Sequence, residues 1–305
     1  MTDTRQALRG RVTALLQAMD SVIVAFSGGT DSTLLLALAL EALGAENVLA
    51  VTADSPTLPA RELAETKALC AELGASHLVI RTHEMQDERF AANPPDRCFY
   101  CKQELFSQLR AIAEQRGYQN LVYGATSDDL GDLRPGMRAA QAAGARAPLL
   151  EAGLDKQAVR ELSRQMGLRT WDKPSAACLS SRFPYGQRIT GAGLERVECG
   201  EDFLRNVTGF RQVRVRDHDP IVRIEVETSQ YDVLLSPGTR DRIVEYFLGL
   251  GFRYVTFDLQ GFRSGSMNAV LQPSVQEPTN RPPEAVPCDQ GFQVLGQADS
   301  VPGAR

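Results

Sequence analysis

A chain of 305 residues, 43% hydrophobic and 23% charged, is long enough for a sizeable core in one large domain or two modest ones, and its composition is that of a soluble globular protein. A net charge of −5 lacks the basic footprint of an electrostatic nucleic-acid binder, so no nucleic-acid partner is expected. Residues 1–5 have no apolar signal core, and no apolar run approaches membrane-spanning length, so no membrane partner and a cytoplasmic location are expected.

Leu8, Val12, Leu15, Leu16 and Met19 recur at helical spacing and predict a helix over 4–19. Val22-Ile23-Val24-Ala25 then reads as a strand covered on both faces. It runs through Phe26-Ser27-Gly28-Gly29-Thr30-Asp31-Ser32 into a helix that reaches residue 43. Such a turn gathers backbone N–H groups and the positive end of the helix dipole at one point, which makes an anion site. Gly28 and Gly29 permit close approach, and Ser27, Thr30 and Ser32 add hydroxyl donors. Asp31 would repel a phosphate unless it orients the loop or helps to hold Mg²⁺. The plainer alternative is a glycine turn capped by Ser and Asp.

A second strand over 48–53 ends in Asp54-Ser55-Pro56, a helix follows over 60–73, and a third strand over 77–80. A loop from 82 to 96, with room for a short helix near 87–91, leads to Arg97-Cys98-Phe99-Tyr100-Cys101-Lys102 and a helix to about 115. The fourth strand, 121–124, ends in the carboxylate-rich stretch from Ala125 to Asp132. Asp128 and Asp129 there suit a Mg·ATP site, or simply cap a helix. After a helix over 155–166 the pattern changes. The stretch from Asp172 to Arg182 is a poor helix and a poor strand and reads as a functional loop. Beyond it come a helix over 193–207, strands 212–216 and 221–227 around Asp217-His218-Asp219-Pro220, a helix over 240–250 and a strand over 254–259. The fold expected is α/β, a doubly wound parallel sheet in residues 1–172, with a smaller α+β domain in 173–265 and a disordered tail in 266–305. In such a sheet, ligands sit beyond the C-terminal strand edges, where Ser27 and Asp54 both fall.

Of six cysteines, only Cys98 and Cys101 cluster in sequence; Cys70, Cys178, Cys199 and Cys288 stand apart. A reducing compartment argues against a disulfide scaffold, so clustering points to metal or catalysis. Cys178 lies between Lys173 and Arg182, and cationic surroundings favour a thiolate. Cys98 and Cys101 are two ordinary half-buried thiols, or ligands. Zinc lacks an evident fourth Cys or nearby His, whereas three thiolates suit a 4Fe-4S cluster with one open iron able to bind sulfide. Arg214 and Arg216 share one strand face, as do Arg223, Glu225 and Glu227 on the next strand. They form a substrate surface, or a solvated hairpin face with cross-strand ion pairs.

The Ser27–Ser32 motif resembles the pyrophosphatase loop of the ATP-dependent family that includes GMP synthetase, NAD synthetase and tRNA thiolation enzymes. Together with Asp54-Ser55-Pro56, Gly131-Asp132-Leu133-Arg134-Pro135-Gly136 and Lys173-Pro174-Ser175-x-x-Cys178-Leu179-x-Ser181-Arg182, it resembles the LarE family of sulfur-insertion enzymes in nickel-pincer cofactor biosynthesis. The resemblance covers about residues 8–265. It implies phosphate contacts at Ser27, Gly28, Gly29, Asp31 and Ser32, the nucleoside near Ala53 and Ser55, and Mg²⁺ near Asp128 or Asp129. It implies ATP-dependent adenylation of a carboxylate of pyridinium-3,5-dicarboxylate mononucleotide, followed by replacement of oxygen by sulfur. Sulfur comes either from a sacrificed Cys178 or from a 4Fe-4S cluster on Cys98, Cys101 and Cys178, and the presence of all three cysteines favours the cluster. Substrate contacts are expected at Ser181, Arg182, Arg214, Arg216 and Glu225, with Glu201 and Asp202 as weaker candidates. The partners expected are the small-molecule nucleotide, a sulfur donor, a downstream nickel-insertion protein and further copies of the same chain. The competing reading is a tRNA thiolation enzyme, which the acidic composition disfavours.

Overall fold

The structure is a computed structural model that describes residues 2–131, 135–174 and 177–271. Asp132, Leu133, Arg134, Ser175 and most of the expected tail, with Cys288, lie outside those residues. The elements in chain order are α1 (Thr2–Gln17), β1 (Val22–Ala25), α2 (Thr30–Leu43), β2 (Val48–Asp54), α3 (Ala60–Leu73), β3 (Ser76–Arg81), α4 (Glu88–Ala91), α5 (Arg97–Arg116) and β4 (Asn120–Tyr123). They continue as α6 (Pro135–Ala142), α7 (Pro148–Glu151), α8 (Lys156–Gln165), α9 (Gly191–Thr208), β5 (Val213–His218), β6 (Ile221–Val226), α10 (Tyr231–Leu235), α11 (Pro237–Gly249) and β7 (Tyr254–Phe257). Met1–Met267 form one compact unit.

The first sheet has the order β3-β2-β1-β4, and every pairing is parallel, with Val22 level with Val48 on one side and Asn120 on the other. Alternation along β1 explains why it reads as an unbroken apolar run. Val22 and Val24 face a cluster with Leu16, Leu34, Leu38 and Leu162, and Ile23 faces the opposite cluster with Leu105, Phe106 and Leu109. Helices therefore cover both faces, as a doubly wound sheet requires. The second sheet has the order β5-β6-β7, antiparallel then parallel. Its Val213, Val215, Val222 and Ile224 pack against Leu194 and Val197 of α9 and Phe247 of α11.

Helix starts follow their capping chemistry. Thr190 accepts from the Gly193 N–H to open α9, and Asp155 accepts from the Ala158 N–H to open α8. Pro237 occupies the first turn of α11, where its missing N–H costs nothing. Strand β5 runs on to His218, two residues past the expected end, because Asp217 is buried and accepts from Arg196 at 2.6 Å and from the Asp219 N–H at 3.0 Å. The turn is thereby reduced to Asp219-Pro220. The short helices α6, α7 and α10 were not expected; four to eight residues are too few for a periodic signal. Residues 266–271, expected as the start of the tail, form a 3₁₀ turn. Among the described residues no helix is long and apolar enough to cross a membrane.

Candidate active site

The phosphate turn sits at the C-terminal end of β1. Gly28 has φ +67°, and a Cβ there would lie 2.9 Å from Thr66 Cγ2, so both conformation and space demand glycine. The Ser27 and Ser32 hydroxyls are 3.1 Å apart, and Ser32 Oγ donates to the Gly29 carbonyl at 3.1 Å. Among the described residues no side chain caps α2, so its first N–H groups are left for a ligand. Gly124, just past β4, was not singled out from sequence. A Cβ on it would stand 2.9 Å from the Ser32 backbone nitrogen and 3.0 Å from the Asp31 carbonyl carbon.

Asp31 pairs with Lys156 Nζ, which also lies 3.9 Å from Asp129 Oδ1. Asp129 is buried, and its other oxygen accepts from the Thr126 N–H at 2.8 Å. Asp128 instead accepts from the Lys156 backbone N–H at 2.6 Å, at the start of α8. Lys156 thus lies between Asp31 and Asp129, while Asp128 meets the first turn of α8.

At the end of β2, Ala53 stands level with Ile80 of β3. Ser55 is buried, accepts from the Thr57 N–H at 3.0 Å, and donates to Glu84 Oε1. Glu84, in the turn after β3, is only 1% exposed and was missed from sequence, since an isolated Glu in a loop carries no periodic or motif signal.

The loop bearing Cys178 is fastened to this edge at two points. Lys173 Nζ donates to the Gly28 carbonyl at 3.0 Å and pairs with Glu62 at 2.8 Å, while the Leu179 N–H donates to the Thr57 carbonyl at 2.8 Å. Cys178 is exposed and precedes the 3₁₀ turn Leu179–Arg182. Its carbonyl accepts from the Ser181 hydroxyl at 2.8 Å and from Arg182 Nη1 at 3.2 Å. Arg182 is 1% exposed and clasps Glu201 through Nε at 2.6 Å and Nη2 at 3.0 Å. Both cations flanking Cys178 are therefore paired, with Glu62 and with Glu201, and Arg182 acts as a strut beneath the Cys178 loop.

Cys98 and Cys101 lie in the opening turns of α5, half-buried. Burial pushes the Cys101 thiol up to about 12; Lys102 pulls it down, and Glu84, Cys178 and Cys98 add to the rise. Cys101 also packs against the apolar cluster that contains Leu179, the residue after Cys178. Among the described residues no three His, Cys, Asp or Glu side chains converge on a single ion.

Arg214, Arg216 and Glu225 are all buried and do not form a solvated hairpin face. Arg216 donates to Glu225 at 2.7 Å across the strands and to the Ser181 carbonyl at 2.8 Å. Burial works against the charge on Glu201, but Arg182, and then Arg205 and Arg214, outweigh it and hold the carboxyl at about 2. Burial, together with Arg182, lowers Arg214 to about 9. The Arg214 guanidinium lies 5.0 Å from the Phe262 ring centre. Phe262 and Gln212 in turn line a cavity of about 610 Å³ with Pro174, Arg211, Glu227 and Gln230. Asp202 remains near the surface, paired with Arg205 at 3.2 Å.

The chain is similar to several known proteins. The family model described as NAD synthase matches residues 2–123. An uncharacterized protein of Synechocystis sp. is 42% identical over 253 residues, 83% of this chain and 94% of the relative. The pyridinium-3,5-bisthiocarboxylic acid mononucleotide synthase of Lactiplantibacillus plantarum is 40% identical over 263 residues, 86% of this chain and 94% of the relative. An uncharacterized protein of Methanocaldococcus jannaschii is 28% identical over 244 residues, 80% of this chain and 91% of the relative.

Proposed function

This chain belongs to the family of the pyridinium-3,5-bisthiocarboxylic acid mononucleotide synthase, and from that premise we propose that it inserts sulfur, at the expense of ATP, into pyridinium-3,5-dicarboxylate mononucleotide in nickel-pincer cofactor biosynthesis. The observation that carries the reading is the fastening of the Cys178 loop to the phosphate turn, through Lys173 to the Gly28 carbonyl.

The turn from Ser27 to Ser32 takes the phosphates of ATP, with Ala53 and Ser55 towards the nucleoside. Asp31 and Asp129 are the carboxylates for Mg²⁺, which would neutralise charge on the phosphates. A carboxylate oxygen of the substrate attacks the α-phosphorus, the bond to the bridging oxygen breaks, and pyrophosphate leaves. The resulting acyl-adenylate is open to sulfur, which displaces AMP. The cavity beside Pro174 is of a size that suits a nucleotide, and Arg211 in its lining offers a cation to a phosphate or carboxylate, beside the carboxylate of Glu227.

Held by Cys98, Cys101 and Cys178, a 4Fe-4S cluster would supply sulfide at its open iron. The three-cysteine set favours that route, because sacrifice needs Cys178 alone. Sacrifice is favoured by one observation, that Cys178 is the exposed thiol of the three. In that route the Cys178 sulfur bonds to the acyl carbon, AMP leaves with the bonding pair, and the thiol proton passes to solvent. Loss of the Cα proton then breaks the Cβ–S bond, leaving dehydroalanine and a thiocarboxylate.

The test is ATP-dependent thiocarboxylate formation on the pyridinium mononucleotide, with stoichiometric pyrophosphate. No pyrophosphate with this substrate, or retention of tRNA at physiological salt, overturns the reading. Iron and sulfide in anaerobically purified protein, lost in Cys98→Ala, support the cluster. A colourless protein that loses the mass of H₂S at Cys178 after one turnover supports sacrifice.

A further inference from the structure

Asn93 lies outside every motif of the sequence and is fully buried, at 0% exposure, with its backbone in the left-handed region at φ +56°. Asn tolerates that region better than most residues, but the following Pro94 disfavours helical backbone conformations in the residue before it. The conformation persists because the side chain is fully used. Nδ2 donates to the Pro184 carbonyl at 2.7 Å and the Phe183 carbonyl at 3.3 Å, and Oδ1 accepts from Arg97 Nη1 at 2.9 Å. The Asn93 carbonyl accepts from the Gly186 N–H at 2.9 Å, and the Ala91 carbonyl from the Ile189 N–H at 2.8 Å. Arg97, itself buried, lies 5.0 Å from the ring centre of Tyr185.

These contacts sew residues 91–97 to residues 183–189. One residue after Arg97 stands Cys98, and one residue before Phe183 stands Arg182, the end of the turn that Cys178 begins. We infer that Asn93 is the positioning residue that sets the separation between the Cys98–Cys101 pair and Cys178. The inference rests on the reading above, that the three thiols act together. A planar amide is the side chain that suits the task. It offers two donors to two carbonyls and one acceptor to a guanidinium, and a carboxylate of the same shape would turn acceptors towards those carbonyls.

The test is cross-linking by dibromobimane, a short bifunctional thiol reagent, in the full-length chain stripped of bound metal by chelation. Peptide mapping locates the links, and monobromobimane measures the reactivity of Cys178 alone. In the unaltered protein, Cys178 links to Cys98 or Cys101. Asn93→Gly keeps the left-handed backbone and loses the side-chain bonds; it is expected to cut the linking rate at least tenfold while single labelling of Cys178 stays within twofold. Asn93→Asp, which keeps the acceptor for Arg97 and loses both donors, is expected to behave alike. Equal linking rates in folded Asn93→Gly overturn the role of Asn93 and leave the three-thiol reading standing. No link in the unaltered protein overturns both.

Discussion

Gly124 stands where strand and turn meet so closely that one methyl group has no room. Both nearest atoms are backbone, at 2.9 Å and 3.0 Å, so a side chain cannot be accommodated by a rotamer change. Gly124→Ala is therefore expected to displace the first turn of α2, costing about 1–3 kcal/mol of stability by overpacking and at least tenfold in ATP-dependent pyrophosphate release. A pyrophosphate assay beside a urea melt checks both. The Arg182–Glu201 pair makes a second residue-scale prediction. The carboxyl moves from an ordinary 4.5 to about 2 on folding, so it stabilises the native state fully above 4.5 and loses that contribution as pH falls towards 2. The loss should reach about 3 kcal/mol. Glu201→Gln leaves Arg182 buried without a counter-charge; it should cost roughly 3–5 kcal/mol at pH 7 and flatten the acid limb of the stability profile. Urea melts from pH 7 to 2 measure both. Neither role was legible beforehand. Glycine contacts and buried ion pairs depend on what folding brings alongside, whereas the Ser27–Ser32 turn is local and was readable from its own residues. Asn93 did leave a trace, since Asn-Pro marks a turn, but nothing local told which segment the turn would grip.

At the scale of elements, the loop before Cys178 is held by a cation whose partners lie on other elements: the Gly28 carbonyl at 3.0 Å and Glu62 of α3 at 2.8 Å. Lys173→Met keeps the bulk of the side chain and breaks both contacts. Thiocarboxylate formation should fall at least tenfold, while the rate of pyrophosphate release from ATP falls much less, because the phosphate turn keeps its own hydroxyl bonds. Parallel measurement of the two products separates the half-reactions; an equal fall in both would show that Lys173 serves adenylation directly. The elements themselves were largely readable. The strands β1, β2 and β4 are apolar because helices cover both faces, and Gly74 and Gly117 end α3 and α5 in the left-handed conformation. The hairpin was readable as strands but not as buried strands. Arg214, Arg216 and Glu225 look like a wet face in one dimension, but Arg216 reaches the Ser181 carbonyl and Ser266, and Arg214 lies over Phe262.

For the molecule as a whole, helix α5 belongs to two cores. Leu105, Phe106 and Leu109 pack beneath the parallel sheet, while Tyr100 and Cys101 pack against the cluster that includes Leu179 and Phe183. Unfolding is expected to be a single transition, with Trp171 fluorescence and far-UV circular dichroism changing at the same denaturant concentration. Separate midpoints would indicate that residues 1–172 and 173–265 melt independently. The shared helix also bears on how such a protein can be divided. A backbone break between Trp171 and Lys173 would leave one fragment with Tyr100, Cys101 and Phe90 stripped of their cover. The other fragment would have a sheet and two helices around an open hollow. Neither piece would hold its shape alone, yet each carries what the other lacks, so two separately encoded halves should find each other in one cell and restore the sulfur-transfer site at their seam.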